Sequence, residues 1–310
     1  PSSGGLSATP AASVVPAEAL VQAPVEALGL PMSNFVEAGS FGDVLYSPIT
    51  ESSGPQHQMS AAEKLATEFQ YSMVRIQSIS EAFNWFKPFA PGPEASAVGS
   101  GFAVVLNTPS SEPVPSTPEV DPVFVTNAHV VRNAHTVRIQ VPAMSQQDFG
   151  AYVPLIYDHL DLALVRLVNP KEFLDTLNMS DAKLKILPIR EDPPMSMGME
   201  VAALGFPLGS PSLKLSRGVI AGTEQVEGKL CFQSTAPISP GSSGGPLFAI
   251  EALGKEVEAE PQVIGVNFAA ASSHTAQNNN YVVPLVHIRQ LLNEFLLREK
   301  SGQGEPVGPA

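Results

Sequence analysis

The sequence predicts an all-β fold, built as a barrel or a sandwich, from Gly99 onward. Three observations lead to this fold class. Short β-branched and apolar runs follow one another, turn-forming residues separate them, and no repeat of fixed period is present. The runs that we expect to form strands are Phe102–Leu106, Val123–Thr126, Thr136–Val141, Leu162–Leu167, Val201–Leu204, Leu215–Ala221, Lys229–Thr235, Pro246–Ile250, Val263–Ala269 and Tyr281–Val283.

The N-terminal segment, residues 1–58, differs in composition from the rest of the chain. It is rich in Pro, Ala, Ser and Gly, and the first Lys or Arg of the chain is Lys64. Such a composition favours a flexible tail, partly disordered. Apolar residues such as Phe35, Phe41 and Tyr46 favour instead an extended arm that docks on another subunit. Both interpretations stay open at this level.

The folded part is predicted to span residues 59–300. A helix is expected to start at the capping-box pattern Ser60 to Glu63, and a strand over Tyr71–Ile79 follows it. The next segment, residues 80–98, is expected to be a loop anchored by its aromatic residues, which are Trp85, Phe86 and Phe89.

The C-terminal part predicts a second helix, over residues 287–298. Its apolar residues Leu291, Leu292 and Phe295 recur at helical spacing. Residues 301–310 are polar and are expected to form a tail. Two insertions, over 107–122 and 251–261, are expected to be surface loops.

Composition argues against several classes of protein. A general nucleic-acid binder needs a basic face, and a net charge of −13 disfavours that class. No apolar run reaches the roughly 18 to 20 residues that a membrane helix needs. The single cysteine, Cys231, permits no intrachain disulfide, which favours an intracellular location, with a mitochondrion or plastid among the options. No His, Cys or Asp set has metal-ligand spacing, so no metal or other cofactor is predicted.

The strongest chemical motif is PGSSGGPL, from Pro240 to Leu247. A serine hydroxyl is a poor nucleophile and needs a base beside it and donors for the charge that it creates. We interpret Ser243 as that nucleophile and the backbone N–H groups of Gly241 and Ser243 as an oxyanion hole. Gly241 suits this geometry because it lacks a Cβ. Flanking apolar strands argue against a linker.

Two further segments supply partners for a nucleophilic serine. His129 lies in FVTNAHVV and is a candidate base, and Asp161 precedes the run LALVRL and is a candidate for orienting the imidazole. Alone, either residue type is more often structural. The order His, Asp, Ser is that of chymotrypsin and differs from subtilisin and the α/β-hydrolases. Asp158 is the rival carboxylate, but no apolar strand follows it.

The boxes around these three residues resemble those of the Deg/HtrA branch of trypsin-like proteases. The similarity covers residues 70–297 and includes the supporting segments GSGF at Gly99–Phe102, LGFPLG at Leu204–Gly209 and SRGVI at Ser216–Ile220. It implies the chymotrypsin-like fold, two six-stranded antiparallel β-barrels over residues 70–175 and 183–285. It also implies an active site in the cleft between them.

The sequence departs from the family pattern near the nucleophile and in its extent. Ser242 stands where the family normally has Asn, and Thr235 stands where it usually has Asp. The loop contacts of that Asp are therefore absent, and activation is expected to differ. Family members usually carry PDZ domains after the protease, for which this sequence has no room. The resemblance is thus to a protease domain without PDZ.

The first specificity pocket is expected between the segment before the nucleophile and the strand that starts near Gly265. Its predicted lining is apolar and has no carboxylate, which favours cleavage after small or medium apolar residues: Ala236, Pro237, Ile238, Val266, Phe268 and Ala269. His274 leaves another interpretation open, because a viral chymotrypsin-like protease could use such a histidine to bind Gln or Glu.

The predicted function is that of a serine endopeptidase acting on polypeptides in protein quality control or regulated proteolysis. One alternative is a protease-fold scaffold subunit of a larger assembly, which the N-terminal arm favours. The other is a polyprotein-processing protease, which His274 and a start at Pro1 favour. Pro1 also indicates a processed product or a fragment. The resemblance further implies a homotrimer, by the habit of the family.

Overall fold

The computed structural model of this chain describes residues 61–82, 85–87, 89–90, 92–104, 122–180, 182–187, 189, 195–226, 228–250, 262–270 and 280–301. The predicted arm over residues 1–58 lies outside the described residues. So do His274, the predicted loop over 251–261 and all of the predicted tail except Ser301.

Six antiparallel strands close a first barrel, in the spatial order β1-β2-β3-β6-β5-β4. Every neighbouring pair in this barrel follows an antiparallel register, including β1 with β4, which closes it. The strands are β1 (Met73–Glu81), β2 (Glu94–Val104), β3 (Val123–Thr126), β4 (Ala134–Gln140), β5 (Phe149–Tyr157) and β6 (Leu162–Leu167).

A second closed barrel has the order β10-β11-β12-β9-β8-β7, which is the topology of the first barrel repeated. The predicted fold class, two six-stranded antiparallel β-barrels with a C-terminal helix, is therefore confirmed. The strands are β7 (Glu200–Gly205), β8 (Lys214–Val226), β9 (Lys229–Ser234), β10 (Pro246–Ala249), β11 (Gln262–Ala270) and β12 (Asn280–Pro284).

Helices lie at the ends of the described domain and between its strands. They are α1 (Ala61–Phe69), α2 (Ala128–Val131), α3 (Pro170–Met179) and α4 (Leu285–Lys300). Helix α4 is longer than the predicted 287–298, and it buries Leu291, Leu292 and Phe295 as its spacing predicts. None of the helices in the described ranges combines the length and hydropathy that crossing a bilayer requires.

The barrels pack together because their strands alternate between two apolar faces. On β3, Phe124 belongs to a cluster within the first barrel, whereas Val123 and Val125 belong to another cluster. We call the latter the shared cluster, because it combines residues of both barrels and of α1 and α4. Its members include Phe69, Phe102, Val125, Phe248, Val266 and Phe295.

Four elements differ from the sequence-based expectation. Strand β2 starts at Glu94, inside the predicted loop, because backbone pairing with β1 continues over residues whose side chains are exposed. Strand β5 and the helices α2 and α3 were not predicted. Pro154 interrupts the strand pattern of β5, and it sits where the pairing with β6 shifts register. The predicted aromatic anchors are exposed instead: Trp85 by 83%, Phe86 by 97% and Phe89 by 91%.

Candidate active site

His129 lies at the point where β3 passes into the single turn of α2. Its neighbours Ala128, Val130 and Val131 are buried. The His129 side chain remains 43% exposed. The apolar residues of this turn thus pack against the barrel, whereas the imidazole of His129 is partly exposed to solvent.

Asp161 follows a 3-10 turn, Asp158–Leu160, and takes a left-handed backbone conformation with φ 55°. Its Oδ2 lies 2.8 Å from Nδ1 of His129, and its Oδ1 accepts a 2.9 Å hydrogen bond from the backbone N–H of His129. The Asn127 amide donates to the carbonyl oxygen of Asp161 at 2.8 Å. The carboxylate therefore fixes both the ring and the backbone of His129.

Asp158, the rival carboxylate, points to a different partner. Its Oδ1 accepts a 2.8 Å bond from Nε of Arg132, and its side chain is 68% exposed. The structure therefore brings Asp161, and not Asp158, to His129.

Ser243 lies in the nucleophile turn, Gly241–Gly245, just before β10. Two glycines of this turn have positive φ, 92° at Gly241 and 86° at Gly244. A Cβ at Gly244 would lie 2.3 Å from Oγ1 of Thr126 and 3.2 Å from the backbone N of Asn127. The nucleophile turn therefore touches the segment that leads to His129.

The Ser243 hydroxyl has a partner that the sequence did not indicate. Its Oγ donates a 3.4 Å hydrogen bond to the carbonyl of Phe268, and among the described side chains it forms none with His129. A backbone acceptor carries no signature in the residue type, so only the packing of β11 against the turn reveals it.

The two predicted oxyanion donors make no hydrogen bond within the described part of the chain. Neither the Gly241 nor the Ser243 N–H donates to a described residue. The Pro240 carbonyl accepts from the N–H of Leu208 at 2.6 Å. Because C=O and N–H point in opposite directions across a trans peptide, this bond turns the N–H of Gly241 away from Leu208.

The predicted pocket residues lie in different places. Val266 and Phe268 pack into the shared cluster. Ala236 and Ile238 pack with a separate cluster inside the second barrel. Pro237 is exposed, and the Ala269 side chain lies outside the described residues. The specificity pocket as predicted from the sequence stays a prediction.

A cavity of about 160 Å³ lies behind the nucleophile turn. Pro237 and Ile238 of the predicted pocket line it, together with Ser239, Ser242 and Lys214. Ser242, where the family pattern has Asn, is buried here.

Phe268 has polar neighbours that an apolar description of the pocket missed. Lys229 is only 7% exposed as a residue, and its Nζ lies 4.5 Å from the centre of the Phe268 ring. Tyr281 also contacts this ring and donates a 3.0 Å bond to Glu224. Burial, followed by that bond to Glu224, raises the pKa of Tyr281.

In the described ranges, no group of three or more His, Cys, Asp or Glu side chains is arranged to hold a metal ion. The site is an imidazole–carboxylate pair next to a serine in a glycine turn.

Comparison with known proteins gives one matching family. The family described as a trypsin-like peptidase domain matches residues 99–254, half of the chain. That range contains His129, Asp161 and Ser243.

Similar curated proteins are serine proteases and Do-like proteins. The chain is 26% identical to the mitochondrial serine protease HTRA2 of Drosophila grimshawi, over 72% of this chain and 45% of that protein. It is 26% identical to a mitochondrial Do-like protein of Arabidopsis thaliana, over 76% and 36%. It is 29% identical to serine protease HTR4 of Bos taurus, over 59% and 34%. The chain thus spans less than half the length of these relatives.

Proposed function

This chain belongs to the family of trypsin-like peptidase domains, and we propose from that premise that it is a serine endopeptidase of the Deg/HtrA type. The observation that carries the proposal is the hydrogen-bonded pair of His129 and Asp161, 2.8 Å apart, beside the turn that holds Ser243. Such a pair is what a serine hydroxyl needs in order to attack a peptide carbonyl.

In the proposed reaction, Ser243 Oγ attacks the carbonyl carbon of the substrate and gives its proton to Nε2 of His129. Asp161 holds the proton of Nδ1, which sets the tautomer and stabilises the imidazolium that forms. The N–H groups of Gly241 and Ser243 bind the oxyanion. His129 then protonates the leaving amine, and water, activated by the same imidazole, hydrolyses the acyl-enzyme and releases Ser243.

One side-chain rotation must precede this reaction. The Ser243 hydroxyl has to turn from the carbonyl of Phe268 to His129. That carbonyl then becomes available to an N–H of the substrate. An extended substrate would therefore bind by adding its main chain beside β11, as strands do at sheet edges.

The biological role that we propose is protein quality control or regulated proteolysis of polypeptide substrates. An organellar location is supported by the names of two relatives, which are mitochondrial. A homotrimer, or a larger assembly through residues 1–58, remains part of the proposal.

A protease-fold scaffold subunit is the second candidate. The observation that favours it is the Ser243 hydroxyl, which is bonded to Phe268 and not to His129 among the described residues. A resting site of this kind either becomes ordered by a trigger or is retained without catalysis.

Labelling with a fluorophosphonate probe tests the proposal, because the probe reacts with an activated serine. We expect the wild type to be labelled and Ser243→Ala to remain unlabelled. Asp161→Asn should slow labelling by about 10³- to 10⁴-fold, since an amide cannot hold the imidazole in the required tautomer. The matched control is Asp158→Asn, which removes only an exposed ion pair and should label at the wild-type rate.

Each contrary outcome identifies a different error. Equal labelling of wild type and Ser243→Ala would mean that another residue is the nucleophile. Slow labelling of Asp158→Asn alone would mean that the carboxylate is wrongly assigned. A folded wild type that neither labels nor cleaves unfolded polypeptides would support the scaffold subunit.

A further inference from the structure

Ser100, in β2 of the first barrel, is fully buried and makes hydrogen bonds with the second barrel through every polar group except its carbonyl. Its Oγ donates to the carbonyl of Gly241 at 2.7 Å and accepts from the N–H of Phe206 at 2.9 Å. Its backbone N–H donates to the carbonyl of Ser243 at 2.8 Å. One residue thus holds the carbonyl groups of both proposed oxyanion donors.

The same residue is also tied to the segment that carries the imidazole. The carbonyl of Ser100 accepts a 2.8 Å bond from Oγ1 of Thr126, three positions before His129. The nucleophile turn and the His129 segment come from different barrels. Ser100 is therefore positioned to set one relative to the other.

The direction of the Gly241 N–H depends on how its neighbouring peptide groups are held. The carbonyl before it is bound by the N–H of Leu208 and the carbonyl after it by Oγ of Ser100. Gly241 has a positive φ of 92°. Because glycine lacks a Cβ, it can adopt many other backbone conformations as well, and the residue itself does not hold this one. The Leu208 bond holds the peptide that carries the Gly241 N–H. The Ser100 bond holds the following peptide, together with a 2.9 Å bond from the N–H of Ser242 to the carbonyl of Ser239, and these bonds fix the rotation between the two peptides at Gly241.

The space around Oγ of Ser100 is narrow. A Cβ placed at Gly205 would lie 3.0 Å from that oxygen and 3.2 Å from Cα of Ser242, so the contact is tight. Removal of the hydroxyl leaves a buried N–H of Phe206 and a buried carbonyl of Gly241 without their partner, which is costly in the folded state.

We propose that Ser100 is a positioning residue for the oxyanion hole. Its hydroxyl binds the carbonyl of Gly241 and the N–H of Phe206, both in the second barrel, and so holds the nucleophile turn against β2 of the first barrel. The inference rests on the proposed endopeptidase function. Ser100 touches neither substrate nor reacting atoms, so it acts on the transition state through Gly241 and not on the binding of the substrate.

Peptide hydrolysis by Ser100→Ala tests this role. We expect kcat to fall by about 10- to 100-fold, with KM changed by no more than about twofold, because the loss occurs in the transition state. The matched control is Ser72→Ala. Ser72 is also fully buried and donates to a backbone carbonyl, that of Lys185, but outside the site. The kcat of Ser72→Ala should stay close to that of wild type, while its thermal stability should be similar to that of Ser100→Ala.

Two binding measurements separate positioning from a structural role. A peptide aldehyde, whose tetrahedral adduct places an oxyanion in the hole, should lose affinity for Ser100→Ala by the same factor as kcat. A substrate peptide should bind Ser243→Ala and the double variant Ser100→Ala/Ser243→Ala equally well. If the substrate peptide loses affinity as much as the aldehyde does, the positioning role is overturned.

A further pair of variants keeps the test decisive if Ser100→Ala does not fold. Ser100→Cys retains a weak donor of similar shape and should show the same pattern with a smaller fall in kcat, compared with Ser72→Cys. An active wild type in which Ser100 variants lose no more than Ser72 variants contradicts only the Ser100 proposal. A wild type that hydrolyses no peptide contradicts the proposed function, and this inference with it.

Discussion

At the scale of the residue, Asp161 shows how one side chain organises the site. Both of its oxygens are used, one by the imidazole and one by the backbone N–H of His129. Its left-handed backbone, φ 55°, lies at the junction between the 3-10 turn and β6. The apolar run after Asp161 was the reason to prefer it over Asp158, and that run is β6, whose pairing with β3 brings the two segments together.

Substrate preference belongs to the same scale. We expect cleavage after small or medium apolar residues, favoured over Arg or Lys by at least about tenfold. The expected lining has no carboxylate that would bind a basic side chain. Profiling with a peptide library measures the preference.

The control for that library is Ser243→Ala, which should cleave none of its peptides. A wild-type preference for Arg or Lys would contradict the apolar pocket. A preference for Gln would contradict it too and would favour the polyprotein-processing alternative through His274.

At the scale of the element, the nucleophile turn depends on glycine for two different reasons. Gly241 and Gly244 both have positive φ, where a Cβ is strained. At Gly244 there is also no space for a side chain, since a Cβ placed there would lie 2.1 Å from the carbonyl oxygen of Ser100. The turn therefore needs both the conformation and the close approach.

A pair of substitutions separates these two reasons. Gly198 has the same φ as Gly244, 86°, and nothing lies within 4 Å of its Cβ position. We expect Gly198→Ala to lower the free energy of unfolding by about 1 kcal/mol, from the backbone alone. Gly244→Ala should cost about 1 to 3 kcal/mol more, because the neighbouring backbone must move, and it should also abolish labelling of Ser243.

Urea unfolding followed by circular dichroism measures this difference. Tryptophan fluorescence is a poor probe, because the one tryptophan of the chain, Trp85, is 83% exposed. Equal losses of stability in Gly198→Ala and Gly244→Ala would show that the close approach at Gly244 is not important.

At the scale of the whole molecule, the shared cluster makes the two barrels one packing unit. Each barrel has its own apolar cluster, but the alternate faces of β3, β6, β7 and β10 contribute to the shared cluster together with α1 and α4. The rings of Phe69, from α1, and Phe248, from β10, stack with centroids 5.5 Å apart. The helix before the first barrel is thus anchored on the second.

Phe69→Ala tests this coupling. Because Phe69 is almost fully buried, the substitution should lower the free energy of unfolding by about 3 to 5 kcal/mol. The unfolding transition should remain single, as expected when the barrels share a core. Leu297→Ala is the control, since Leu297 is 65% exposed, and it should change stability by no more than about 0.5 kcal/mol. Two separate transitions in Phe69→Ala would mean that the barrels unfold independently.

The sequence by itself determined the all-β class and the segments that carry the candidate site. Runs such as Leu162–Leu167 are readable because a strand alternates its faces every second residue, and PGSSGGPL is readable because a turn of this shape needs glycine. The exposed start of β2 and the proline-interrupted β5 were not readable, because backbone pairing with β1 and β6 holds them and leaves no apolar pattern.

Only the tertiary structure decided which groups meet at the candidate site. The bond from Ser100 to Gly241 joins residues 141 positions apart, and the bond from Ser243 to the Phe268 carbonyl depends on how β11 lies against the nucleophile turn. Neither contact has a signature in residue type or spacing. The Ser100 contact arises because the two barrels pack through the shared cluster, which brings β2 of the first barrel to the nucleophile turn of the second. The Ser243 contact arises within the second barrel, where β10 and β11 pair.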